Sequence, residues 1–141
     1  MSRVIIGILI ASLLAGCQSQ MIRDDLAPVK AGAASSIVAD WARLLQDRYP
    51  ATTVFEIKGM GKIGTALAKD LRSLGYGVAD SQDQSTADSV PIEVRSDKLG
   101  DKGILVSLII EGQIISRSYT VSESDALADS AFSELAAGGK L

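Results

Sequence analysis

The sequence of 141 residues contains no histidine and only one cysteine. Without histidine the chain cannot form a Ser-His-Asp triad, a Cys-His pair or a histidine-ligated zinc site. A single cysteine excludes an internal disulfide bond and a CxxC motif. Aromatic residues make up 4% of the chain, the net charge is −3, and Lys and Arg do not cluster, so we expect no direct nucleic-acid binding. The composition favours a small binding or assembly domain over an enzyme, with no catalytic, cofactor-binding or metal-binding residues.

The N-terminus has the parts of a bacterial lipoprotein signal peptide. Arg3 supplies positive charge, residues 4–14 form an apolar run, and the run ends in the sequence LAGC at 14–17. The run is shorter than the roughly 20 residues of a membrane-spanning helix and has the length of a signal-peptide core. LAGC resembles the lipobox, which implies cleavage before Cys17, a diacylglyceryl thioether on its sulfur and an acyl chain (palmitate) on its amino group. The alternative is an ordinary secretory signal with an accidental cysteine.

The chain is expected to divide into a signal peptide (1–16), a lipidated N-terminus and flexible tether (17–34) and one α+β periplasmic domain (35–141). The tether is polar, contains Pro28 and Gly32, and has no sustained apolar period. A short stretch around Ile22 and Leu26 is an alternative docking segment. Gln18 follows the lipidated residue where inner-membrane retention requires Asp, so in a Gram-negative host we expect an outer-membrane lipoprotein facing the periplasm.

Hydrophobic periodicity predicts the element order α-β-α-β-β-β-β-α. We expect helices at 35–48, 63–74 and 125–136, and strands at 52–58, 76–79, 91–95, 104–110 and 113–121. Ser35 or Ser36 is the expected cap of the first helix. The fold class is therefore α+β, with a small mixed or antiparallel sheet of four to five strands and helices mainly on one face.

Gly59, Gly61 and Gly64 form a GxGxxG pattern between a predicted strand and a predicted helix. This context is typical of a dinucleotide-binding turn. However, Glu56 and Lys58 alternate with apolar residues in the strand, whereas the first strand of a dinucleotide-binding fold is buried on both faces. No second βα half follows. We therefore interpret the glycines as a tight turn with close helix packing, and a dinucleotide-binding enzyme as the weaker alternative.

Five short motifs are spread over most of the chain: the lipobox at Cys17, GTAL at 64–67, LGYGV at 74–78, VPIEV at 90–94 and RSYT at 117–120. With these motifs the chain resembles the TrbH family, the lipoproteins of conjugative mating-pair-formation systems. The resemblance implies a structural subunit of a type IV secretion channel, with other channel subunits and the membrane lipid as its partners. The order of helices and strands also looks like small periplasmic domains that pack side by side in rings, which implies a ring-type oligomer.

Exposed strand edges are natural sites for adding a partner strand. We expect such an edge on the hairpin at 104–121 or on the strand at 91–95, with Glu93 and Arg117 as contact residues. An auxiliary envelope lipoprotein, acting in lipid transport or outer-membrane assembly, is the other open interpretation.

Overall fold

The computed structural model describes residues 29–59, 61–79 and 88–138. Two helices and seven strands occur in these ranges. Their bounds are α1 (Ala31–Arg48), β1 (Val54–Lys58), α2 (Lys62–Ser73), β2 (Gly77–Ala79), β3 (Val90–Leu99), β4 (Gly103–Ile110), β5 (Gln113–Val121), β6 (Ala126–Ala128) and β7 (Ser133–Ala136).

Helix α1 begins at Ala31, earlier than the predicted cap at Ser35 or Ser36, so the last four residues of the predicted tether are helical. The helix start has no side-chain cap. Instead, Ala33 and Ala34 continue the buried stripe of the helix toward its N-terminus, and burial of that stripe stabilises the additional turn. Ser36 lies inside the helix and donates a hydrogen bond to Asp125.

The seven strands form one mixed sheet in the order β2-β1-β3-β4-β5-β6. Strand β1 is parallel to both β2 and β3, and the other pairs are antiparallel. Strand β7 pairs with β5 on the same side as β6. The mixed sheet and the α+β class are confirmed, but the predicted count of four to five strands is too low.

The predicted helix at 125–136 is wrong, because this segment forms β6 and β7. Strand β6 pairs with the end of β5 and β7 pairs with its beginning. A helix would need to bury Leu127 and Leu135 together with Phe132, yet these leucines are 66% and 68% exposed. Pairing satisfies the backbone groups along the outer side of β5, which a helix would leave without partners.

Both helices cover the same face of the sheet. They pack against each other, the position of a Cβ on Gly64 in α2 lies 3.7 Å from Ile57 Cγ2 in β1, and Asp40 of α1 accepts a hydrogen bond from Tyr119 in β5. The strand residues on this face are buried with the helices in one core, and include Phe55, Ile57, Ile92, Val94, Ile104, Val106, Leu108, Ile115 and Tyr119. The single helix layer predicted from the sequence is therefore present.

Candidate interaction surface

The sheet face opposite the helices has no helix packed on it in the described part of the chain, and we call it the open face. Along β3, β4 and β5 its residues alternate with those of the helix-covered face, and Ser107 in its centre is itself only 8% exposed. The strand register joins them into cross-strand rows. One row is Glu93-Ile109-Ile114-Leu135, the next is Arg95-Ser107-Ser116-Ser133, and the last is Leu99-Gly103-Thr120-Leu127.

Apolar and serine side chains form the centre of the open face. On β4 and β5 it presents Leu105, Ser107, Ile109, Ile114 and Ser116, and none of them carries a charge. The hydroxyl oxygens of Ser107 and Ser116 are 2.7 Å apart and hydrogen-bonded. These two groups satisfy each other, so the centre of the face can be covered without leaving those hydroxyls unpaired.

Three of the four large hydrophobic residues exposed in the described ranges lie on the open face. These are Leu99 (45% exposed), Leu127 (66%) and Leu135 (68%); the fourth is Leu74 (42%), at the end of α2. Exposed apolar residues that share one face indicate a binding surface, whereas single scattered ones do not.

Charged side chains of the open face lie on β3, next to its apolar centre. Glu93 and Arg95 form an ion pair with 2.8 Å between Oε1 and Nε, and Asp97 follows on the same face. The structure therefore places Glu93 on the open face, where its side chain is 24% exposed and paired with Arg95.

Arg117 does not lie on the open face, so its predicted role as a surface contact is wrong. It is on the helix-covered face, where one guanidinium nitrogen donates to Asp40 at 2.6 Å and Nε donates to the Ser130 carbonyl at 2.8 Å. The guanidinium carbon also lies 4.4 Å from the centre of the Phe132 ring. Arg117 thus joins α1 and β5 to the segment between β6 and β7.

The predicted free edge is also wrong for the hairpin. Strand β4 lies between β3 and β5, and β5 is bordered on its other side by β6 and β7. In β3, residues Val90–Glu93 are paired with β1 on one side, and Ile92 and Glu93 also pair with β4 on the other. The hairpin strands are interior, whereas residues 94–99 of β3 lie beyond its pairing with β1. We therefore assign partner contact to the face of the sheet rather than to an edge of the hairpin.

The GxGxxG turn is explained by local packing. Gly59 has a φ of 87°, which side chains disfavour, and a Cβ on Gly64 would lie 2.2 Å from the Gly59 carbonyl oxygen. Met60 lies outside the described residues. After β1, α2 and β2 the chain enters an antiparallel meander, so the second parallel half of a dinucleotide-binding sheet is not found in the described ranges. The geometry favours the tight turn that the sequence suggested.

Tyrosine hydroxyls tie α1 and the residue after it to the sheet. Tyr119 donates to Asp40 at 2.8 Å, and burial, followed by this hydrogen bond, raises the Tyr119 pKa far above its ordinary value. Tyr49 donates to Glu111 at 2.7 Å, and burial followed by that contact raises the Tyr49 pKa to about 12. Both hydroxyls are therefore neutral donors at physiological pH, with a structural role.

The described residues lack both a membrane-crossing helix and a cluster of metal ligands. Within residues 29–59, 61–79 and 88–138, no helix has the length and apolarity needed to cross a membrane. In the same ranges, no three His, Cys, Asp or Glu side chains come together as a set of metal ligands. The predicted lipidation site Cys17 and its neighbour Gln18 lie outside the described residues.

The part of the open face on β5 could be predicted from the sequence, but the part on β6 and β7 could not. The alternation along 113–121 already separated Ile114, Ser116 and Ser118 from Tyr119, and the structure confirms this division. Leu127 and Leu135 could not be assigned to this face from the sequence, because both fit the apolar stripe of a helix. No local signal distinguishes these alternatives, since the deciding partner is β5.

Comparison with known protein families identifies the class of the chain as a conjugal transfer protein. The family model of conjugal transfer protein TrbH matches residues 17–136. Because this match covers most of the sequence, the protein belongs to the TrbH family, which is a family of conjugal transfer proteins and not an enzyme family. No curated protein and no solved structure matches the chain.

Proposed function

We propose that this protein is a lipid-anchored structural subunit of a conjugative type IV secretion channel, held on the periplasmic side of the outer membrane. The observation that carries the proposal is the TrbH match over residues 17–136. The match begins at Cys17, the first residue of the predicted mature chain, and the apolar open face supplies a docking surface for other channel subunits.

The proposed anchor is the lipidated Cys17. One acyl chain holds a protein on a membrane only marginally, whereas several hold it stably, because each buried CH₂ contributes about 0.8 kcal/mol. Three chains on Cys17 would keep the domain on its membrane without a spanning helix. Gln18 in the following position favours the outer membrane in a Gram-negative host.

The anchor is tested by Cys17→Ala. We expect the natural chain to fractionate with membranes and to carry the mass of the lipid, and the variant to lose both properties because the acceptor sulfur is absent. Fractionation and mass spectrometry of the full chain measure this. A natural chain with a free thiol, or a variant that remains on the membrane, contradicts the anchor.

The proposed partners are other subunits of the transfer apparatus, docked on the open face. Leu135→Glu should lower their co-purification and the frequency of DNA transfer about 10-fold or more, because a charge replaces an apolar contact in an interface. Leu74→Glu is the matched control, since Leu74 is also an exposed leucine but lies at the end of α2. Equal recovery of partners with both variants rules out the open face as the docking surface.

Self-association is tested in the same variants. If copies pack side by side in a ring through the open face, the natural chain expressed without other transfer proteins will cross-link into oligomers, and Leu135→Glu will not. Cross-links that form only when the other subunits are present assign the open face to different partners.

A further inference from the structure

A groove opens at the end of the domain where the described chain begins. It has a volume of about 590 Å³ and lies between the residues before α1, the turn joining β3 and β4, and the end of β5. Val29, Ile104 and Val121 contribute apolar side chains to its lining. Val29 and Ile104 are buried, so they form a fixed floor.

Lysines surround this groove. Lys30, Lys98 and Lys102 line it, together with the acidic residues Asp101 and Glu123. Lys30 is paired with Glu123 at 2.9 Å, while Lys98 and Lys102 form no ion pair within the described ranges. The groove thus carries an excess of positive charge on a chain whose net charge is −3.

The groove lies at the end of the domain that the proposed anchor holds nearest to the bilayer. Val29 lines it, and residues 18–28 separate Val29 from Cys17. Such a segment spans at most about 40 Å when fully extended. A domain tethered within that distance of the bilayer can bring Lys98 and Lys102 to the phospholipid headgroups.

We propose that this groove binds the headgroup phosphate of an anionic phospholipid in the leaflet that carries the anchor. Lys98 and Lys102 contact the phosphate, and Val121 contacts the glycerol above the floor that Val29 and Ile104 form. Basic side chains near an anionic membrane surface are each attracted to it, and the apolar floor fits the part of the lipid below the headgroup. This inference rests on the proposed function, because the anchor brings the lipid within reach.

The groove also defines how the domain stands on the membrane. It lies at one end of β3, β4 and β5, at their turn and terminus. With that end on the bilayer, the strands run away from the surface and the open face points sideways. Neighbouring subunits anchored in the same membrane then meet the open face directly.

The mature lipidated chain is placed in nanodiscs of phosphatidylcholine with and without phosphatidylglycerol. Amide hydrogen exchange is then measured in both. We expect amides of the turn after Leu99 to exchange several-fold more slowly when phosphatidylglycerol is present. The double variant Lys98→Gln with Lys102→Gln should lose this protection. The control is Lys62→Gln with Lys69→Gln, which removes two exposed lysines from α2 and should keep the protection.

A second measurement separates failure of the groove from failure of the anchor. The mature chain from residue 17 onward, with Cys17→Ala, should float with phosphatidylglycerol vesicles. Adding Lys98→Gln and Lys102→Gln to it should weaken binding about 30-fold, from about 1 kcal/mol per lysine. Mass spectrometry of the lipidated sample tests the anchor independently.

Two outcomes would overturn the proposal. Protection that is equal with and without phosphatidylglycerol shows that the groove does not select an anionic lipid. The turn after Leu99 could also be protected in detergent without any phospholipid, and lose that protection with the Lys98 and Lys102 variants. That result assigns the groove to an acidic segment of protein, such as the chain around Asp24 and Asp25.

Discussion

At the scale of single residues, Asp40 organises the contact between α1 and the sheet. It accepts hydrogen bonds from Arg117 at 2.6 Å and from Tyr119 at 2.8 Å. Arg117 also reaches the Ser130 carbonyl and the Phe132 ring. Loss of one member leaves a partly buried charge or donor without its partner, which costs more than the bond contributes when it is made. These residues therefore determine stability rather than partner choice.

The tyrosines make stability sensitive to alkaline pH. The folded-state pKa values of Tyr49 (about 12) and of Tyr119 (raised further) exceed the ordinary value of 10. Their contribution is complete below pH 10 and is lost as the pH rises through the folded-state values, because the unfolded chain releases these protons first. We expect the urea midpoint to fall progressively above pH 10, and to fall less in Tyr119→Phe. A midpoint that is constant up to pH 12 would contradict this assignment.

Gly64 allows the close approach of α2 to the turn after β1. In Gly64→Ala the new Cβ would lie 2.2 Å from the Gly59 carbonyl oxygen, which is backbone and must move. We expect the free energy of unfolding to fall by about 2–3 kcal/mol, measured by urea denaturation. Lys62→Ala, an exposed change in the same helix, should stay within about 0.5 kcal/mol of the natural chain. A similarly small effect of Gly64→Ala would show that the turn has room for the methyl group.

At the scale of elements, β6 and β7 act as one interrupted edge strand along β5. Residues 129–132 separate them and turn Phe132 onto Trp41, with 4.9 Å between ring centres. Arg48 and Glu134 form a further ion pair between α1 and β7. One aromatic contact and a few polar ones therefore hold the edge against the rest of the domain.

Phe132 is the apolar anchor of this edge. In Phe132→Ala we expect about 2 kcal/mol of destabilisation, less than for a fully buried phenylalanine, and faster hydrogen exchange in β6 and β7 than in β4. Leu127→Ala should change neither quantity measurably, because Leu127 is 66% exposed. If both variants loosen the edge equally, Phe132 is not its anchor.

At this edge, β5 could be predicted from the sequence, whereas β6 and β7 could not. The boundaries of β5 and its turn at Glu111 and Gly112 follow from alternation and turn chemistry, and the structure agrees. The segment 125–136 has apolar residues at helical spacing and an acidic start, so local rules predict a helix. Its strands exist because β5 offers an edge, and that edge depends on residues distant from the segment.

At the scale of the whole molecule, the domain has a helix layer on one sheet face and none on the other within its described part. Strict alternation in 113–121 predicted this one-sided arrangement, because strands covered on both faces have continuous apolar runs. The candidate surface was less predictable. The sequence indicated strand edges and Arg117, whereas the fold pairs both hairpin strands on their two sides and turns Arg117 inward. Which groups are exposed is decided by strand order, and alternation alone does not specify that order.

The outermost strands of the sheet are β2, with three residues, on one side and the broken pair β6 and β7, with three and four residues, on the other. On these two sides, edges so short and interrupted offer little template for another chain to continue the sheet. The longer stretch 94–99 of β3, beyond its pairing with β1, carries charged side chains at Arg95, Asp97 and Lys98, which also disfavour strand addition. At high concentration, copies of this protein are therefore poorly suited to polymerise strand by strand into fibres. An assembly of such copies would stop growing once its docking surfaces are occupied, and would therefore contain a defined number of subunits.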